Sequence, residues 1–514
     1  MTTDIDSLTH ARQRISAAYD PGLLRAAGHQ LADLLAAHIE QAEASGAAVL
    51  NWQEPEPSSQ AAAEFLKSPP SAAPAPFSAA PQAADDAELL ETFGRLVQTS
   101  LDRGLNLHDP RYIGHQVPAP VPLAGLFDAV GSVTNQCMAI YEMGPWATAV
   151  EAAMIDALGQ LIGWAPGKFA GIVTHGGSLA NLTALLTARN VSLGQSWEAG
   201  VPNKGPAPVL ISHAEAHYCI ARSAGILGLG TNQVIKAELD DRRKIDPQRL
   251  DETLRTLRAK NTPIVAVASC ACATPVGAFD PLADIADVCN RHEVWMHVDA
   301  AHGGAALFSN RHRHLMDGLE RTDSLIWDAH KMLFVPALCA FVFYRDPGHR
   351  FEAFRQDAPY LFDPSEPGLA DYDSGLKSIE CTKRAAAFGL WGVWSLFGRQ
   401  LFADMVDVTF DMGRQFYNKL QAAPDFETLH DPECNIVVFR HVPDALRDAP
   451  PERLGGYQLD LRREVIRSGE FYIVPTAKDG IAALRATIIN PLTTPDHLDQ
   501  LLESLRDHGR RLLE

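Results

Sequence analysis

The sequence predicts an α/β protein. A large domain carries a mostly parallel seven-stranded sheet, a smaller α+β domain follows it, and a helical segment precedes it. Two observations carry that expectation. From about residue 170, short apolar β-branched runs alternate with helical patterns, which is how a parallel sheet covered by helices reads in sequence. After Lys383 the rhythm changes to one long helical stretch and then separated strand candidates. With 514 residues, 46% of them hydrophobic, the chain is long enough for several domains and a large core.

The elements follow in order. Leu23, Leu24, Ala27, Leu31, Leu34 and Leu35 recur with helical spacing in the first fifty residues. Residues 53–84 are rich in Pro, Ala and Ser and predict a non-helical, extended connector. A helical pattern resumes near Asp86, so residues 1–100 form the N-terminal helical segment. The large domain is expected over 101–382, with strands at 170–174, 208–212, 233–236, 264–269, 294–298, 324–327 and 338–344. The small domain is expected over 383–514, with strands at 435–440, 471–474 and 483–489 and a closing helix near Thr494.

Composition removes several classes of function. The formal net charge of −19 disfavours nucleic acid and anionic membranes as partners. The longest uncharged run, 262–279, is broken by Pro263, Pro275 and Gly277, so no membrane span is expected. The N-terminus, MTTDIDSLTH, lacks the apolar centre of a secretory signal. The eight cysteines are scattered, and Cys270 and Cys272 are too close for a zinc knuckle. Reduced thiols, a cytoplasmic setting and no metal are the expectation.

Three segments carry chemistry. In 171-GIVTHGGSLAN-181 a strand runs into a Gly pair and a helix opening at Ser178. Glycines let backbone approach an anion, and a helix N-terminus offers free N–H groups. Taken alone, the segment also reads as a tight strand–helix turn. In 294-VWMHVDAAHGG-304, Asp299 ends an apolar strand, where a carboxylate needs a partner; that partner is a ligand or the next turn. In 324-SLIWDAHKMLFVP-336, Lys331 lies among apolar residues. It is either a snorkelling surface lysine or a desolvated amine whose lowered pKa suits attack on a carbonyl. Phosphate cradle, buried acid and amine together are what pyridoxal 5′-phosphate requires. GGSLAN is not the GxGxxG turn of nicotinamide enzymes.

On these motifs the chain resembles the group II pyridoxal-phosphate-dependent amino-acid decarboxylases, the family of glutamate, cysteine-sulfinate, aspartate and aromatic amino-acid decarboxylases. The resemblance spans roughly residues 86 to 510 and implies the fold-type I architecture. It implies that Lys331, in its His-Lys signature, carries the cofactor and that Asp299 of HVDAA partners the ring nitrogen. His217, in SHAEAHYC, matches the histidine stacked on the ring, and Thr274 and Ala301 match ring contacts. Gly176, Gly177, Ser178, Asp328 and His330 match the phosphate set. The segment 357–375 resembles the family's mobile catalytic loop, and Tyr360 in its Tyr-Leu-Phe triplet matches the tyrosine that reprotonates substrate. Arg485 matches an arginine that binds a substrate carboxylate.

Departures bear on substrate choice. His302 stands where an aromatic residue is common, Ala329 replaces the usual proline, and His175 replaces a smaller residue. In the substrate-recognition strip 108-HDPRYIGHQVPAP-120, His115 and Gln116 stand where acidic-substrate enzymes read Asn-Gln. The reaction implied is α-decarboxylation of an L-amino acid to an amine and CO2. The loop leans to aspartate, glutamate or cysteine sulfinate, while the strip keeps aromatic and diamino acids open. An aminotransferase, aldehyde synthase or sulfur lyase on the same core is the alternative reaction class. The resemblance also implies a homodimer with shared active sites.

Overall fold

Alternating apolar runs and helices over residues 170–344 build one seven-stranded sheet in the computed structural model, which describes residues 2–67, 82–194, 196–354 and 371–514. The strands are β1 (Ala170–Thr174), β2 (Val209–His213), β3 (Val234–Ala237), β4 (Ile264–Cys270), β5 (Met296–Asp299), β6 (Ser324–Asp328) and β7 (Ala340–Tyr344). Their order is β1-β7-β6-β5-β4-β2-β3. The pairings among β2 to β6 are parallel, and β7 runs antiparallel to both β1 and β6. β1 therefore runs in the same direction as β6, and β1, β2, β4, β5 and β6 all end at one edge. That edge is where open α/β sheets bind ligands. The strands read as continuous apolar runs because both faces are covered: Leu325, Ile326, Trp327, Phe341, Val342 and Phe343 are fully buried.

A second, four-stranded sheet has the order β10-β11-β9-β8, all antiparallel. Its strands are β8 (Phe426–Thr428), β9 (Ile436–His441), β10 (Val474–Lys478) and β11 (Ile481–Thr487). The long helical stretch after Lys383 is Phe388–Ala422, two helices joined across a break at Gly398, and the closing helix is Pro495–Leu513.

β8 falls where no strand is expected, and two further elements differ from the sequence expectation. Residues 55–67, expected in an extended connector, form the helix Pro55–Lys67. Pro55 and Pro57 sit in its first turn, where no backbone N–H is needed, and Ala61–Ala63 with Glu64, Leu66 and Lys67 are strong helix formers. Residues 68–81 of the connector lie outside the described residues. The strand expected at 471–474 starts only at Val474 and runs to Lys478. It turns through Asp479 (φ +53°) and Gly480 (φ +77°) into β11, a two-residue hairpin that needs positive φ twice.

The chain divides into two compact units. One comprises Met1–Tyr112, Asp460–Tyr472 and Gln500–Glu514; the other comprises Ile113–Leu459 and Ile473–Asp499. In the first, the helix Pro21–Glu43 packs against Gln82–Asp102 through the leucine stripe. Both sheets and every residue of the candidate site belong to the second. Among the described residues no helix is long and apolar enough to cross a membrane.

Candidate active site

The shared edge of the sheet opens into a cavity of about 310 Å³. Gly176, Gly177 and Ser178 enter it from the end of β1, His217 from beyond β2, and Thr274 from beyond β4. Asp299 and Ala301 come from the end of β5, and Asp328, His330 and Lys331 from the end of β6. Gln116 and His302 complete the expected residues on its wall. Residues spread over more than two hundred positions meet because parallel strands deliver their C-terminal ends to one place.

Asp299 is the best-anchored of them. Its Oδ1 accepts from the Ala301 backbone N–H at 3.1 Å and its Oδ2 from Asn181 Nδ2 at 3.0 Å. Asn181 Oδ1 lies 2.8 Å from His297 Nε2, and His297 Nδ1 lies 2.9 Å from Ser324 Oγ. Burial pushes the His297 ring down to about 4, so it is neutral with a single N–H. The Asn181 amide donates to Asp299, so its oxygen accepts, and the proton of His297 sits on Nε2. The sequence reading missed Asn181 and His297. Their signal was spacing: Asn181 lies one helical turn beyond Gly177, and His297 lies two residues before Asp299 on the same strand face.

Lys331 corrects an expectation. The sequence reads it either as a snorkelling surface lysine or as a desolvated amine with a lowered pKa. Burial does act in that direction, but the carboxylates of Asp328 and Asp299 overcome it and hold the ammonium above its ordinary value. Asp328 Oδ2 is 3.3 Å from Lys331 Nζ, three residues back along the same turn. Burial raises the Asp328 carboxyl, with Lys331 and His330 acting against it. His330 Nδ1 is 2.9 Å from the Cys339 carbonyl, which leaves Nε2 facing Asp328 Oδ2 at 3.7 Å.

Burial lowers the His217 ring. Its Nδ1 accepts from the Cys219 backbone N–H at 3.3 Å, so the proton is on Nε2. His302 is fully buried, pushed down to about 3 by burial, and its Nε2 is 2.9 Å from Asn435 Oδ1. Arg485 does not line the cavity, but it donates from one terminal nitrogen to the carbonyl of Thr274, which does, at 2.6 Å. His115 is exposed and lies outside the cavity wall, while the adjacent Gln116 is buried on it. Tyr360 and residues 357–370 of the expected loop lie outside the described residues.

The residues present fit pyridoxal phosphate. Gly176 has φ +111°, and a Cβ at Gly177 would come within 2.5 Å of Asp328 Oδ2, so backbone alone can close on the space before the helix Gly177–Leu193. Asp328 Oδ1 is buried with no hydrogen-bond partner among the described residues. A buried amine, a carboxylate held by two donors and a glycine turn converge on one cavity.

Fold and site define a fold-type I pyridoxal-phosphate enzyme. Residues 77–442 match the pyridoxal-dependent decarboxylase conserved domain. The chain is similar to mouse acidic amino acid decarboxylase GADL1, with 31% identity over 383 residues, covering 73% of this chain and 69% of the mouse protein. The human GADL1 protein is likewise 31% identical over 378 residues, 72% of each chain. The crystal structure of mouse CSAD superposes with a TM-score of 0.84 at 27% identity, covering 95% of this chain and 99% of that one. Rice (Oryza sativa) TDC with PLP and tryptamine shares the fold, with a TM-score of 0.83 at 22% identity, covering 96% of this chain and 99% of that one. The chain belongs to the group II pyridoxal-phosphate-dependent decarboxylase family: it is a pyridoxal-phosphate-dependent amino-acid decarboxylase.

Proposed function

We propose that this decarboxylase acts on an acidic L-amino acid, such as aspartate, glutamate or cysteine sulfinate. The observation that carries the reading is the buried Arg485 guanidinium bonded to the Thr274 carbonyl on the cavity wall. A guanidinium offers five N–H donors in a planar fork that matches a carboxylate. The similarity to the acidic amino acid decarboxylase GADL1 supports the same reading.

Pyridoxal phosphate, when bound, supplies the electron sink for the bond that breaks. Lys331 would hold the cofactor through its amine. Its ammonium must first shed a proton, and Asp328 Oδ2 at 3.3 Å, raised by burial, is the atom placed to take it. Asp299, fixed by Asn181 and Ala301, keeps the ring nitrogen protonated. His217, Thr274 and Ala301 would hold the ring. Gly176, Gly177, Ser178, Asp328 and His330 form the phosphate end. Gln116 and His302 on the cavity wall, with Arg485 behind Thr274, would orient the substrate for loss of its α-carboxylate. Tyr360 returns a proton to the α-carbon. The enzyme works in the cytoplasm as a homodimer with shared active sites, and a concentration-independent monomer in sedimentation would overturn that assembly.

The test is amine formation, read by mass spectrometry, from the twenty amino acids plus cysteine sulfinate, 2,4-diaminobutyrate and L-DOPA. One acidic substrate should dominate. Arg485→Met should raise its KM by about a hundredfold, the loss of a charge-assisted bidentate contact. An aromatic or diamino acid dominating, or an unchanged KM in Arg485→Met, refutes the acidic reading.

A further inference from the structure

Two polar groups at the phosphate end of the cavity have no task in this scheme. His175 lines the cavity directly before Gly176, Gly177 and Ser178. Its Nδ1 is hydrogen-bonded to Glu380 Oε1. Burial acts to raise the Glu380 carboxyl, but the hydrogen bond and charge of His175, helped by Lys383, hold it below its ordinary value. An ionised carboxylate only accepts, so Nδ1 carries a proton. The other ring nitrogen, Nε2, is buried and has no hydrogen-bond partner among the described residues. Buried nitrogens are rarely left that way, so the missing partner is itself an observation.

The surroundings say what that partner is. Glu380 on Nδ1 leaves Nε2 as the ring nitrogen without a partner among the described residues, and in an imidazolium that nitrogen donates. The next residues in the chain open the helix Gly177–Leu193, whose first N–H groups and positive dipole end favour an anion. A donor nitrogen beside a helix N-terminus calls for an anionic oxygen.

We propose that the His175–Glu380 pair grips an anionic oxygen of the ligand bound in this cavity, His175 donating from Nε2 and Glu380 aligning the imidazole through Nδ1. His175 touches the ligand, and Glu380 is a positioning residue. The proposal rests on the pyridoxal-phosphate reading of the cavity. Two groups offer the required chemistry: the cofactor phosphate, which belongs next to Gly176, Gly177 and Ser178, and a carboxylate of the substrate.

The experiment compares wild type, His175→Ala, Glu380→Gln, Glu380→Asp and the double variant His175→Ala/Glu380→Gln. The readouts are the Kd for pyridoxal phosphate, by absorbance titration of the apoenzyme, and KM and kcat for amine formation. Glu380→Gln keeps the bulk and the imidazole and removes the charge. It should weaken one of the two affinities about tenfold, with kcat changed less than threefold. Glu380→Asp should restore most of the loss, and the double variant should be no worse than His175→Ala, because both residues serve one contact. A raised Kd assigns the oxygen to the cofactor phosphate; a raised KM with unchanged Kd assigns it to the substrate carboxylate. Glu380→Gln within twofold of wild type in both affinities overturns the proposal, as does full additivity of the two losses. A wild-type chain that binds no pyridoxal phosphate overturns the underlying reading instead.

Discussion

Replacing Asn181 by Leu should separate two effects that are normally entangled. Asn181 gives a hydrogen bond to the Asp299 carboxylate and takes one from His297. Losing a bond to a charged group costs about 1.5–3 kcal/mol, and stranding the buried Nε2–H of His297 costs about 1–3 kcal/mol more. The expected destabilisation is therefore about 2.5–6 kcal/mol, read as a shift in the urea midpoint of the holoenzyme. Asp299 would keep only the Ala301 N–H, and a functional carboxylate that loses an outer partner drops in effectiveness by about 10–100-fold, here in kcat/KM. The double variant Asn181→Leu/His297→Phe removes the stranded donor together with its partner. It should recover about 1–3 kcal/mol of stability and none of the activity. If the double variant is no more stable than the single one, the tautomer assigned to His297 is wrong. If Asn181→Leu keeps wild-type kcat/KM, the chain from Ser324 to Asp299 is structural filler with no bearing on the reaction.

Two further expectations follow from buried charge. Lys383 Nζ bonds both Glu151 oxygens, at 2.6 and 2.8 Å, and the Val173 carbonyl at 2.7 Å, with all three residues buried. Lys383→Met leaves an uncompensated carboxylate beside β1 and should cost about 3–5 kcal/mol in urea unfolding, with Glu151→Gln added to it regaining part; a loss below about 1 kcal/mol would contradict the pairing. Acid should destabilise the protein through His297 and His302, whose folded values of about 4 and about 3 lie below the ordinary 6.5. The unfolded chain then binds more protons, so stability is intact above pH 6.5 and falls by at most about 1.4 kcal/mol per unit and per histidine as the pH drops toward 4. A His302→Phe variant should flatten the urea-midpoint profile between pH 6.5 and 4, and an unchanged slope would refute burial as the cause.

Where a segment is both apolar and bounded by special residues, its sequence was enough to place it. β1 was expected at 170–174 and is found there, and Asp299 ends a strand as its apolar flank implied. β10 was not legible because its burial alternates and Pro475 and Lys478 read as loop residues; only the Asp-Gly pair at 479–480 announces the hairpin. The helix Pro55–Lys67 was hidden for a related reason. Its prolines fall in the first turn, where the missing N–H costs the helix little, so proline content there does not exclude a helix. Glu380 could not be assigned at all, because its meaning comes from His175, 205 residues away.

Lys331 shows why a motif identifies a residue more securely than it identifies that residue's state. An apolar flank on both sides left a desolvated amine with a lowered pKa as one of two readings. Desolvation is real here, yet the same turn that buries the lysine places Asp328 three residues back, and Asp299 arrives from the neighbouring strand. Here the two carboxylates together outweigh what burial takes away, because the low dielectric that penalises the ammonium also strengthens its attraction to the anions. The two carboxylates therefore favour the ammonium form of Lys331, and its proposed role as a nucleophile requires that proton to leave. Asp328 is suited to both states, since burial keeps its own carboxyl ready to hold a proton and the cavity leaves its Oδ1 without a partner among the described residues. Ligand arrival at this end of the cavity changes the field on Asp328 and Lys331 together.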